Sequence, residues 1–323
     1  MIYHCYKNHR FQDSSIQVIA QARAIILKYV EEGYDLTLRQ LYYRFVALDL
    51  FPDDRTWTKL SSGRWVRDPN GTKNADPNYD WLGMILNDAR LAGLLPWDTI
   101  VDRTREMLQN SHWDSPDQII QSAAQSFRVN TRDTQENYIE VWVEKEALVG
   151  VLERVCQDQD VPYMACRGYV SQSTMWQASL RFIKAEDEGK TCHILHLGDH
   201  DPSGIDMTRD IQDRLDMFNS CVIVRRIALT MDQIEQYSPP PNPAKITDSR
   251  SDSYIAEYGG QSWELDSLEP QTIHELITEE VNNLTDLDAR ESRISEQLFG
   301  TKMLNSVSRN WSKIVKMLQK RHE

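Results

Sequence analysis

The stretch HILHLGDHDPSGIDM, His193 to Met207, decides how the rest of the chain is read. It opens on an apolar run of strand length, and Pro202 and Gly204 then stop any strand and start a turn. Between these features stand Asp199 and Asp201, one residue apart, where a buried strand empties into a loop.

Outward from that point the rhythm is regular. IEVWV, VPYMAC, CHILHL and CVIVRRIAL read as strands. EALVGVLERVCQ, SQSTMWQASLRFIKAEDE and GIDMTRDIQDRLDMF read as the helices between them. Strands alternating with helices of this length predict βαβ units, hence an α/β fold with a parallel sheet covered by helices. Glu144 ends the first of these strands. Ligands of open parallel sheets bind beyond the carboxyl ends of the strands, so Glu144, Asp199 and Asp201 are expected to gather at one sheet edge. Carboxylates crowded there repel unless a cation compensates, and hard oxygen donors with open positions suit magnesium, or manganese in its place. An ordinary role also stands open for each acid: a helix cap for Asp199, an Asp-Pro turn for Asp201, a first-turn position for Glu144. His200 points away if both neighbours point inward, and His193 and His196 are expected as satisfied histidines beneath a helix.

Three units follow along the chain. Residues 1–125 carry helical periodicity from Ser14 to about Glu32, a second helix in TLRQLYYRFVALDLF capped by Thr37, and a third from Tyr79 to Ala92. The intervening SSGRWVRDPNGTKNADPN reads as an exposed hairpin or loop, and together these predict a helix-turn-helix or winged-helix domain. Residues 126–237 hold the sheet. In 238–323, SPPPNP makes a rigid crossing, and the amphipathic helices beyond it serve core packing or a dimer surface.

The net charge of -13 weighs against a chain coated in basic surface. It is uneven, however: residues 1–110 are neutral overall, so the first third is the expected platform for any DNA, and the acidic remainder suits bound divalent metal. Five scattered cysteines without a CxxC pair are expected as reduced, buried small hydrophobes. No stretch reaches the roughly 18 apolar residues of a membrane span, and the opening MIYHCYKNHRFQDSS lacks the apolar centre of a signal peptide. The expectation is a soluble, cytoplasmic protein.

VEKEALVGVLERV, RGYVS and LGDHDPSGIDM, in this order and spacing, resemble the Toprim domain of topoisomerase VI A subunits and the related meiotic double-strand-break transesterases. That resemblance implies a helix-turn-helix domain ahead of Toprim, whose R-x-x-Y-Y motif is matched by Arg39 to Tyr43, with Tyr43 as nucleophile. It implies a homodimer on double-stranded DNA in which one subunit's tyrosine faces the other's acids and forms a 5′-phosphotyrosyl link. At about 100° per residue Leu38, Leu41, Tyr42 and Phe45 share a helix face, which predicts Tyr42 in the core and Tyr43 off it, beside Arg39. Arg39 can then stabilise phenolate or phosphate while metal on Glu144, Asp199 and Asp201 balances the transition-state charge. Lys145, Arg90, Arg103 and Arg105 are candidate phosphate contacts. Val170 stands where the family tends to have proline, and no GxxxxGK[ST] loop is present, so ATP-driven strand passage would need an ATPase partner not encoded here. Two other functions fit the same residues: a hydrolytic Toprim nuclease with a structural Tyr43, and a DNA-binding protein without chemistry.

Overall fold

In the computed structural model residues 1–34, 36–100, 112–243 and 250–320 are described. Arg103 and Arg105 lie outside the described residues. The N-terminal unit packs α1 (Asp13–Glu31), α2 (Leu38–Ala47) and α3 (Asp76–Leu91) around Val18, Ala22, Ile26, Leu41, Phe45, Leu82 and Leu86. α2 starts where the sequence predicts, because Thr37 and Gln40 form a capping box: the Gln40 backbone N–H donates to Thr37 Oγ1 at 3.2 Å and the Thr37 N–H to Gln40 Oε1 at 2.9 Å. Between α2 and α3 an antiparallel hairpin, β1 (Trp57–Lys59) and β2 (Trp65–Arg67), turns at Gly63 with φ of 81°.

After α4 (Pro116–Ser126) the chain alternates: β3 (Asn137–Val143), α5 (Val149–Gln159), β4 (Tyr163–Ala165), α6 (Gln172–Asp187), β5 (Thr191–Leu197), α7 (Pro202–Met217), β6 (Val222–Ala228), α8 (Met231–Tyr237). The fold is mixed α/β, with a parallel four-stranded sheet in the order β4-β3-β5-β6. Period-two alternation gives the sheet two buried faces. Ile139, Val141 and Val143 of β3 meet α5, while Trp142 between them meets Met175 and Phe182 of α6 and Ile211 and Leu215 of α7. The remaining elements are a two-residue pair, β7 (Asn242–Pro243) with β8 (Gln261–Ser262), α9 (Ser251–Tyr258) between them, and α10 (Pro270–Asn283), α11 (Leu287–Arg309) and α12 (Trp311–Gln319). α10 completes the α5 side of the sheet through Ile273, Ile277 and Val281, so the C-terminal region is part of the sheet's core. Each such fully buried side chain contributes roughly 1.5–3 kcal/mol. No helix among the described residues is long and apolar enough to cross a membrane.

One charge sits inside the sheet. Glu140 is 2% exposed and accepts from Arg181 Nε at 2.8 Å and Nη2 at 2.9 Å, from the Tyr138 hydroxyl at 2.9 Å and from Trp142 Nε1 at 2.8 Å. A buried carboxylate persists only with such donors. Arg181→Met is expected to lower unfolding free energy in urea by about 2–3 kcal/mol. That is below the roughly 3–5 of a fully enclosed pair, since the guanidinium is half exposed and two donors remain.

Candidate metal centre

Parallel pairing of β3 with β5 sets Val143 opposite Leu197, so Glu144 and the Gly198-Asp199 turn leave the sheet side by side. The Asp199 N–H donates to Glu144 Oε2 at 2.8 Å. Asp201 turns outward as the cap of α7, accepting from the Gly204 N–H at 2.6 Å. Gly204 is required there, since a side chain would run into the Asp199 carbonyl. Of the three acids expected to share an ion, Asp199 alone joins a set able to do so. Among the described residues, Asp199, Glu264 and Asp266 offer carboxylate oxygens within 4.8 Å of one another, and Glu144 and Asp201 stand outside that set.

Glu264 and Asp266 come from WELDSLEP in the C-terminal region, read from sequence as helices and linker. What brings them in is main-chain pairing. The His200 N–H donates to the Trp263 carbonyl at 2.8 Å and the Trp263 N–H to the His200 carbonyl at 2.9 Å, while the Leu265 N–H donates to Asp199 Oδ1 at 2.8 Å. The E-x-D spacing of Glu264 and Asp266 repeats the D-x-D pattern and was the available signal.

Lys145 supplies the charge balance. Its ammonium lies 2.9 Å from Asp199 Oδ1 and 3.0 Å from Asp266 Oδ1, and bonds to Glu264 Oε2. Arg39 reaches the same acids from α2, with Nε 3.3 Å from Asp266 Oδ2 and Nη2 3.7 Å from Glu264 Oε2. Arg226 of β6 braces the acidic loop from below. Its guanidinium donates to the carbonyls of Gly198 at 2.7 Å, Asp199 at 2.5 Å, Gly204 at 2.9 Å and Leu229 at 3.0 Å. No sequence signal marked Arg226.

These surroundings move the titrations in opposite directions. Burial pushes the Asp199 carboxyl well above its usual range, and Glu264, Glu144 and Asp266 add to this against the pull of Lys145. Glu144 is raised too, chiefly by burial, with the Asp199 N–H and Lys145 opposing. Glu264 loses hydration as well, but Lys145, Arg39 and a hydrogen bond from Asp199 outweigh that and hold its carboxyl below the usual range. Of Asp199 and Glu264, Asp199 is therefore the one that keeps its proton to the higher pH.

Tyr43 departs from its expected place. It is 4% exposed, as buried as Tyr42, because it joins the same N-terminal core as Leu41, Tyr42 and Phe45, and α2 also packs against the Leu265–Ser267 turn. The two hydroxyls nevertheless diverge: Tyr42 donates to Asn74 Oδ1 at 2.9 Å, whereas Tyr43 accepts from Arg39 Nη2 at 3.3 Å. Burial pushes the Tyr43 phenol up, Asp266 and Glu264 push it further, and Lys145 and Arg39 pull it back. Tyrosine and acids meet within one chain, whereas the resemblance implied a meeting across two.

The other candidates fall elsewhere. Arg90 donates to the Trp97 carbonyl at 2.6 Å and stacks on that indole at 4.7 Å, clipping the end of α3 to the following loop. Lys145 sits in the carboxylate cage. His200 turns away from the acids into Tyr254, Tyr258 and Trp263, its Nδ1 2.8 Å from the Tyr254 hydroxyl. His193 Nε2 pairs with Asn137 Oδ1 at 3.0 Å, and fully buried His196 holds Thr208 Oγ1 at 2.8 Å through Nδ1.

His196 gives the fold an acid limit. Burial, reinforced by Arg226, lowers its pKa to about 3, while an unfolded imidazole titrates near 6.5. Below pH 6.5 the unfolded chain binds the proton first, so stability falls as pH drops toward 3. By pH 5 the loss through this residue is about 2 kcal/mol. Urea unfolding of wild type and His196→Asn at pH 7.5 and pH 5 measures it: the variant is expected to lose about 2 kcal/mol less over that interval.

Comparisons of this chain with protein-family models, with curated proteins and with solved structures returned no match.

Proposed function

We propose that this protein is a divalent-metal-dependent DNA-cleaving enzyme of the Toprim type, in which Tyr43 attacks a phosphodiester and becomes linked to the 5′ phosphate. The N-terminal helices and hairpin would be the DNA platform of helix-turn-helix or winged-helix kind, and the protein would act as a cytoplasmic homodimer on double-stranded DNA. The observation that carries this reading is the junction of Tyr43, Arg39 and the Asp199-Glu264-Asp266 cage in one connected cluster.

The cage fits a hard divalent ion such as magnesium or manganese on two grounds: its donors are all carboxylate oxygens, and a cation, the Lys145 ammonium, already stands among them. When bound, such an ion supplies charge stabilisation for a pentacoordinate phosphate and for the leaving oxygen. The chain's own groups do the rest. Arg39 donates to the Tyr43 oxygen and can follow it from phenol to phenolate, since its guanidinium stays charged throughout. Arg226 fixes the loop that presents Asp199. The Leu265 N–H holds the Asp199 carboxylate in place. The joining of tyrosine and cage within one chain supports a site complete in each subunit, with the dimer serving to cut two strands.

A second reading draws on a specific observation. Tyr43 is covered and its phenol is raised, which favours water as nucleophile and a structural tyrosine. A denaturing gel of the Mg²⁺ reaction separates the two. Transesterification yields protein-linked DNA that disappears in Tyr43→Phe, whereas hydrolysis yields free ends that persist in Tyr43→Phe and vanish in Asp199→Asn.

A further inference from the structure

We infer that Lys145 is the resident counter-ion of the carboxylate cage and that a divalent cation displaces it, so that loading the cage and releasing the ammonium are one exchange. The inference rests on the metal-site part of the function proposed above and on none of its DNA chemistry.

The geometry leaves little alternative to exchange. The ammonium contacts one oxygen from each of Asp199, Glu264 and Asp266, and those three residues are the same set whose oxygens lie close enough to share an ion. A magnesium or manganese ion needs those oxygens at roughly 2.1 Å, inside the volume that the ammonium fills. The two positive charges would also repel at contact distance in a site that water barely enters. A lysine suits a place-holder better than an arginine does. Its charge is compact and rides on four rotatable carbons, so it can leave without moving the backbone, whereas a guanidinium fork is fixed by several directed bonds. Arg39 has that second character, bridging Asp266, Glu264 and Tyr43 from outside the cage, and it stays.

The place-holder explains how three carboxylates, two of them buried, coexist at such close range. It also couples the cage to the tyrosine. Lys145 already lies within electrostatic reach of the Tyr43 phenol, and an ammonium no longer held by three acids is available to a phenolate or phosphate beside it.

The test uses the intact protein without DNA. Calorimetric titration with Mn²⁺ is expected to give Lys145→Met a dissociation constant about tenfold or more below that of wild type, because a site occupied by its own ammonium for over nine-tenths of the time binds correspondingly weakly. The metal-free variant should melt at a lower temperature than wild type and gain more from saturating Mn²⁺. An equal or weaker affinity in the folded variant overturns the exchange. A second measurement needs no variant: amine-directed acetylation of wild type, read by mass spectrometry at Lys145, is expected to rise several-fold at saturating Mn²⁺ as the ammonium leaves its three partners. Labelling that Mn²⁺ leaves unchanged, or wild type that binds no Mn²⁺, refutes it, the latter result marking the cluster as an internal ion-pair network only. Exchange observed in a protein that fails to cleave DNA would leave this inference standing and remove the function proposed above.

Discussion

Tyr43→Phe is expected to eliminate the covalent protein–DNA product, with a fall of at least about 10,000-fold in its rate of formation, the scale seen when a nucleophile is removed from a site that otherwise stays intact. The substitution is well controlled by the structure. Phenylalanine keeps the ring in its place against Tyr42, and the lost hydroxyl accepts a single 3.3 Å bond from Arg39, so folding should change by no more than about 1 kcal/mol. Since Tyr43 is 4% exposed, DNA reaches its oxygen only when the seam between α2 and the Leu265–Ser267 turn opens. Mixing Tyr43→Phe chains with Asp199→Asn chains then separates the two subunit arrangements. A site complete in each chain gives mixed dimers no active site, while a site shared between chains gives them one. An adduct that survives Tyr43→Phe excludes this residue as nucleophile.

Asp199→Asn should have the next largest effect, a loss of about 1000-fold in divalent-stimulated cleavage, the equivalent of roughly 4 kcal/mol of transition-state stabilisation. Asparagine retains an oxygen to accept the Leu265 N–H, so the turn that carries Glu264 and Asp266 stays attached. What disappears is one charge that burial, Glu264, Glu144 and Asp266 all disfavour. The metal-free variant is accordingly expected to melt no lower than wild type, and its melting temperature should respond less to Mg²⁺ or Mn²⁺. Cleavage assays at several metal concentrations, with thermal melts beside them, test both halves. Full activity in this variant would remove the cage from the reaction.

The alternation of apolar strands with helices was legible because a parallel strand buried on both faces has to be continuously apolar, and IEVWV and CHILHL are close to that. The start of α2 was equally plain, since a capping box is a local exchange of two hydrogen bonds that needs no partner from elsewhere. Tyr43 marks where periodicity stopped being sufficient. The helical wheel sets it off the Leu41–Phe45 face, yet it is buried in the same core as those residues, because a wheel contains no information about surfaces contributed by distant residues, the Leu265–Ser267 turn against α2 among them. The acid set shows the same limit. Asp199 could be singled out from its place at a strand end, while Glu264 and Asp266 reach it through the His200–Trp263 main-chain bridge and the Leu265 N–H bond to Asp199, which join segments more than 60 residues apart.

The sequence by itself determined the strands, their helices, the cap that begins α2 and the carboxylates delivered to the sheet's edge, because each follows from local hydrogen bonding and the period of the apolar residues. Only the tertiary structure decided which carboxylates share a cage, that Lys145 rather than solvent balances them, and that Tyr43 lies one arginine away in the same chain. The physical reason is range: propensity and capping act within a few residues, whereas charge compensation inside a protein is settled by whatever groups the closed chain excludes from water together.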